Sequence, residues 1–360
     1  MKLKSQLEQP FHLLNDQLFR IRILKTTGSV YLFVDFHHII FDGTSMQILL
    51  QDISSAYENN ALQKETWSGF EVAQEEANLR LTESYSMAAE WNKKVFGALD
   101  VTSLPIPDNN SEQVSIGENV HLIAIDQETI EQSCRRLGIT AQVLTTAAFG
   151  YLLGVFTHNR EALFATVYNG RNDLKTQRTI AMMVKTIAVH TSWNENTTIR
   201  EWLQQTKDIL LGSMNHDLFS FAELCAFNSH VNSDVLFVYQ GGFQTALTLD
   251  GHISHPQSLT SNATGKCLFV ELLPESQQLQ MVIDYQKNRY SEFFIRQFAQ
   301  CYEQIIRQLT LIGNETIRLI DLPLLTTKEY DQIALLGAGQ EMLFDKSETL
   351  VSLFCKKAKE

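Results

Sequence analysis

The chain has 360 residues, 44% hydrophobic and 10% aromatic, enough to bury a sizeable core and long enough for two packed lobes. Its 29 Lys and Arg against 41 Asp and Glu give a formal charge of -12, which leaves no basic stripe for phosphates or anionic lipid and sets aside nucleic acid and membrane surfaces as partners. Cys134, Cys225, Cys267, Cys301 and Cys355 form no C-x-x-C pair, no uncharged apolar run reaches the length of a membrane span, and no apolar run follows the N-terminal lysines, so the expectation is a cytoplasmic protein with neither structural metal nor disulfides.

In chain order, residues 18–23 and 30–40 read as two strands joined across Lys25-Thr26-Thr27-Gly28 in a hairpin. The second strand is apolar on both faces and is expected to be buried. Asp42-Gly43 breaks it, and a helix follows, with Thr44 or Ser45 able to cap it and Met46, Leu49, Leu50, Ile53 and Tyr57 along one stripe. His37 and His38 then close a strand and point to opposite faces, one toward a channel and the other toward structure.

Asp42 lies just past that strand end, where a buried carboxylate needs a cation; Arg171 is the candidate partner. Gly43 permits backbone geometry closed to other residues and precedes helix amides that lack partners and carry partial positive charge. An oxyanion formed beside His38 can be stabilised there.

A polar helical stretch reaches about Phe96, and residues 104–111, with two prolines and polar neighbours, have linker composition and mark the main lobe boundary. Beyond it come a strand at 120–125, helices at 127–137 and 140–156, strands at 163–168 and 186–191, and a helix at 199–214. Strands at 235–239, 268–272 and 280–285 and a helix at 291–309 complete an α/β order. The aromatic group Tyr285, Tyr290, Phe293, Phe294 and Phe298 reads as core. His12, His190 and His216 share no metal-ligand spacing, and no G-x-S-x-G elbow, P-loop or LGGxS-like carrier segment is present.

The run His37-His38-Ile39-Ile40-Phe41-Asp42-Gly43 resembles the HHxxxDG signature of nonribosomal peptide synthetase condensation domains and related acyltransferases with the chloramphenicol acetyltransferase fold. Flanking segments agree in order and spacing. Pro10-Phe11-His12-Leu13 through Leu18-Phe19-Arg20 resembles the family's PFDLxxGPLxR, and Tyr168-Asn169-Gly170-Arg171 its AGR segment. Residues 180–186 look like a divergent IGxFVNT, with Ala181, Met183 and Lys185 departing. Residues 216–221 look like HQDYPF with Ser220 in place of proline, and 233–240 like the PLFQVxF strand. The resemblance covers residues 10–327. Residues 319–326 are similar to the linker after such domains, and Thr349-Leu350-Val351-Ser352-Leu353-Phe354 to the beginning of an adenylation domain.

The resemblance implies a two-lobed, chloramphenicol acetyltransferase-like α/β sandwich with the active site between lobes. The first lobe is expected to be incomplete, because family members carry further strands and helices, including an SxAQxR signature, before the hairpin. Residues 1–112 correspond to a partial N-terminal lobe, 113–328 to the C-terminal lobe, and 329–360 to a linker and the start of an adenylation-like domain. The implied reaction is amide formation between a donor acyl or peptidyl thioester and the amine of an acceptor aminoacyl thioester. By the same resemblance His38 and Gly43 are catalytic, and His37, Asp42 and Arg171 are structural at the site. No cofactor or metal is bound directly; 4'-phosphopantetheine comes on upstream and downstream peptidyl carrier proteins, beside an adjacent adenylation domain. The alternatives are a non-catalytic carrier-recruiting platform, a related acyltransferase using coenzyme A, or an epimerization domain.

Overall fold

A computed structural model describes residues 7, 9–241, 246–254, 266–275, 277–339 and 348–359. Contacts gather residues 1–322 into one compact unit and 323–360 into a second.

The first unit begins with a two-stranded antiparallel hairpin, β1 (Phe19–Lys25) and β2 (Val30–Phe36), in which Ile21 faces Val34 and Ile23 faces Leu32. Two expectations fail here. The second strand ends at Phe36, not at residue 40, and it is not buried: Val30 is 66% and Tyr31 57% exposed. Apolar alternation reports that a face can be covered, not that a covering element is there, and the hairpin pairs with no third strand among the described residues.

Helix α1 (Gly43–Tyr57) follows directly, capped by Asp42, whose side chain accepts the Ser45 amide; Thr44 and Ser45, expected as caps, lie inside it. The polar stretch that ends at Phe96 is two helices, α2 (Gly69–Leu79) and α3 (Glu83–Phe96). Next come β3 (Ile116–Ile123), α4 (Gln127–Leu137), α5 (Ala141–Thr157), β4 (Glu161–Tyr168), β5 (Lys185–Ser192), α6 (Ile199–Asn215) and α7 (Phe221–Phe227). The unit continues through β6 (Val235–Tyr239), a small hairpin of β7 (Leu247–Leu249) and β8 (His252–Ser254), β9 (Leu268–Glu275), β10 (Gln278–Gln286) and α8 (Glu292–Thr310). The second unit holds α9 (Thr327–Gly337) and α10 (Leu350–Lys357).

Six strands form one mixed sheet in the order β3-β10-β9-β6-β4-β5, with β4, β6 and β9 mutually parallel. Successive residues of β4 serve opposite faces. Phe164 meets Phe149 of α5, which also packs on Phe237 and Phe298. Leu163 joins Ala188 and the cluster of Ala88, Phe96, Phe219 and Leu224 carried by α3, α7 and the chain before α7. Each buried phenylalanine of this kind contributes about 1.5–3 kcal/mol. Helix-covered on both faces, β4 is a rigid base for the segment that follows it, residues 169–171. The aromatic group at 285–298 lies largely in this core, except Phe293, which is 66% exposed. Among the described residues no single helix is long and apolar enough to cross a membrane.

Candidate active site

The histidine pair lies in a tight turn just past β2. The His37 carbonyl accepts the Ile40 amide at 3.1 Å, which makes His38 and Ile39 the two central turn residues, and the His37 amide donates to the Leu18 carbonyl. Phe36 and Phe41 stack at 3.9 Å, nearly parallel, and pinch the turn from both sides. The expectation that the two histidines alternate across a strand is therefore replaced by a turn in which His37 anchors and His38 projects, half-buried and exposed respectively.

The two rings hold their protons oppositely. His38 Nδ1 lies 2.7 Å from the Phe41 carbonyl, and since a carbonyl only accepts, Nδ1 carries the proton and Nε2 of the neutral ring keeps its lone pair. His37 Nδ1 accepts the Ile39 amide at 3.1 Å, so the lone pair of its neutral ring is already used. Of the two, only His38 offers an uncommitted base nitrogen.

Behind the turn Asp42 is fully engaged. Its carboxylate accepts from the Ser45 amide and Ser45 Oγ, both at 2.8 Å, from Arg171 Nη1 and Nη2 at 2.8 and 3.0 Å, and from the Met183 amide at 2.9 Å. The two charged side chains are 2% and 0% exposed. Burial alone pushes the Asp42 carboxyl up; the Arg171 guanidinium, the Met183 amide and Ser45 together overcome it and hold the group below the usual carboxylate range. Arg171 also donates to the Thr179 and Ala181 carbonyls, and Ser45 Oγ accepts the Ala181 amide. The pair thus ties the start of α1 to the end of β4 and to loop 179–183.

Gly43 is the first residue of α1. It is exposed and lies outside the left-handed region, so the expectation that it supplies unusual backbone geometry is not met. Among the described residues none accepts a hydrogen bond from the Gly43 or Thr44 amide, the free donors a helix start presents.

Sequence reasoning named Ser45 only as a cap and residues 180–186 only as a family-like segment, and missed that both serve the Asp42–Arg171 pair. Loop 179–183 acts mainly through its backbone, which explains why the departures at Ala181 and Met183 leave the assembly intact. Lys185 bridges Glu76 and Asp217 at 3.3 and 3.2 Å, and Asp217 also accepts the Tyr168 hydroxyl. Ser220 caps α7, and Glu223 of that cap also pairs with Arg80 and the Tyr85 hydroxyl. Burial opposes ionisation of Glu223, but Ser220, Tyr85 and Arg80 hold it down at about 2. His216 stacks on Trp91 at 4.7 Å and His190 pairs with Glu161. No group of three or more metal-ligating side chains occurs among the described residues.

Gly170 is the glycine that this site requires. Its φ is +64°, and a Cβ there would lie 2.0 Å from the Met183 carbonyl oxygen, next to the amide that serves Asp42. Gly170→Ala is expected to cost more than the ~1–2 kcal/mol of left-handed strain alone, because the loop must also move. Chemical denaturation checks this, and a loss below about 0.5 kcal/mol, the range of neutral surface changes, would contradict it.

The condensation-domain family profile matches residues 2–334. Tyrocidine synthase 2 of Brevibacillus parabrevis is 25% identical over 365 residues, covering 98% of this chain, which spans only 10% of that synthase. Among solved structures, the first condensation domain of the calcium-dependent antibiotic synthetase, in complex with a substrate analogue, superposes with a TM-score of 0.68 at 14% identity, covering 86% of this chain and 70% of that one. The X-domain from teicoplanin biosynthesis superposes with a TM-score of 0.71 at 16% identity, covering 90% and 78%.

Proposed function

Because this chain belongs to the condensation-domain family, we propose that it forms an amide between a donor acyl or peptidyl thioester and the amine of an acceptor aminoacyl thioester. Both substrates arrive on the 4'-phosphopantetheine of upstream and downstream peptidyl carrier proteins. The observation that carries this reading is the His38 ring, exposed at the apex of a rigid turn with Nδ1 committed to Phe41 and Nε2 open.

The α-amino group has an ordinary pKa of about 7.7 to 8.0, so part of it is neutral near pH 7. Its nitrogen attacks the thioester carbonyl, the carbon–sulfur bond breaks, and the carrier's thiol is released. His38 Nε2 orients the amine and receives its proton, which passes on to the departing sulfur. The Gly43 amide at the start of α1 supports the oxyanion. His37, Asp42 and Arg171 hold the turn and do not react. In this reading residues 1–112 and 113–328 are the two lobes of the domain, residues 329–360 lead into an adjacent adenylation domain, and the protein works in the cytoplasm.

The test is amide formation followed by mass spectrometry, with donor and acceptor loaded on purified carriers and with a coenzyme A thioester as a rival donor. Amide with carrier-bound donor is the expected product. Product from coenzyme A alone moves the assignment to a free-standing acyltransferase, inversion at the donor α-carbon without amide to an epimerase, and carrier binding without any chemistry to a recruiting platform.

A further inference from the structure

Arg20 of β1 is not part of the His38 turn, yet it clamps the segment that carries Phe11, the ring that meets His37. It faces Asp35 across the hairpin at 3.0 Å, donates to the Gln9 carbonyl and, at 3.1 Å, to that of Pro10, and lays its guanidinium 3.8 Å above the Phe11 ring. Phe11 in turn meets the His37 ring edge-on, with centroids 6.0 Å apart and planes at 83°. His37 then fixes the turn through its ring and its backbone carbonyl. Without Arg20 the segment 9–11 has no such clamp, since a half-buried ring pair alone holds weakly.

We propose that Arg20, acting through Phe11 and His37, is a positioning residue that sets the orientation of the His38 ring. The proposal rests on the condensation reading of His38 for its consequence on rate, but not for its structural claim. The planar fork matters. A lysine keeps the Asp35 contact and loses the paired carbonyl contacts and the stacking over Phe11.

The test uses the full chain with 15N-labelled histidine, comparing wild type, Arg20→Met, Arg20→Lys and Phe11→Leu. At a pH where histidine rings are neutral, the wild-type ring nitrogens are expected to report protonation at Nε2 for His37 and at Nδ1 for His38, each as a single tautomer. In all three variants both rings are expected to move toward tautomer-averaged shifts, while His121 and His190, paired with Glu303 and Glu161 elsewhere in the fold, stay unchanged. Carrier-dependent turnover falls on the order of 10- to 100-fold with KM held. Combining Arg20→Met with Phe11→Leu adds little, because both act on one path. Unchanged His37 and His38 signals in folded Arg20→Met overturn the proposal, as does an Arg20→Lys protein that matches wild type. If Arg20→Met does not fold, Phe11→Leu decides by the same spectra. The spectra need no activity, so a chain that makes no amide yet shows these shifts sinks the condensation reading and keeps this one.

Discussion

His38→Ala is expected to lower amide formation by about 10²–10⁴-fold, the range a positioned general base supplies, while leaving the fold and carrier binding in place. The separation of the two effects follows from the geometry. The ring is exposed and its hydrogen bond runs to the carbonyl of Phe41, three residues away, so its removal opens no cavity and strands no buried charge. His37→Ala behaves differently. It removes the acceptor of the Ile39 amide and the edge contact with Phe11, so stability and rate fall together. Single-turnover mass spectrometry with loaded carriers, beside thermal unfolding of each variant, distinguishes them. His38→Ala protein that keeps a third or more of the wild-type rate would remove His38 from the chemistry.

The elements that were legible in the sequence are those whose signal is local and long. Residues 127–137 carry a helical stripe closed by Gly138, which adopts a φ of +69°, and residues 291–309 open on Ser291, which caps α8 through the Phe294 amide. The parallel strand at 235–239 has the unbroken apolar run that burial on both faces demands. The hairpin was misread where composition is ambiguous. Ile39-Ile40-Phe41 continues an apolar run and so extends a strand on paper, yet the stack of Phe36 on Phe41 folds the chain back within six residues.

At the site, the need of a buried carboxylate for a cation pointed from Asp42 to Arg171, and the two lie 2.8 Å apart. The remaining support comes from groups that carry no signature. The Thr179 and Ala181 carbonyls and the Met183 amide would serve Arg171 and Asp42 whatever side chains followed them. That is why motif departures at these positions say little about whether the assembly forms. Arg20 illustrates the opposite case. It stands in a recognisable segment, but its carbonyl partners at residues 9 and 10 emerge only when the chain folds across the hairpin.

Loss of the Asp42–Arg171 pair should have the largest effect on stability. Asp42→Ala leaves the Arg171 guanidinium, its side chain 2% exposed, without a counter-charge, and breaking one partner of such a pair costs about 3–5 kcal/mol. It also removes the cap of α1, a further ~1 kcal/mol. Arg171→Met is expected to fall in the same 3–5 kcal/mol range. The double variant should be less damaged than the sum of the two, since neither charge is then left alone. The pH dependence has a definite sign. The folded pKa of Asp42 lies below its unfolded value of about 3.9, so its contribution is fully present above that pH and is lost as pH falls through the folded value. Wild type should therefore lose stability between about pH 5 and lower pH more steeply than Asp42→Asn, which has no carboxyl to protonate. Denaturant unfolding of the five proteins across that range measures both quantities. Equal pH slopes for wild type and Asp42→Asn, or strictly additive losses in the double variant, would show that the ion pair is not what joins α1 to the end of β4.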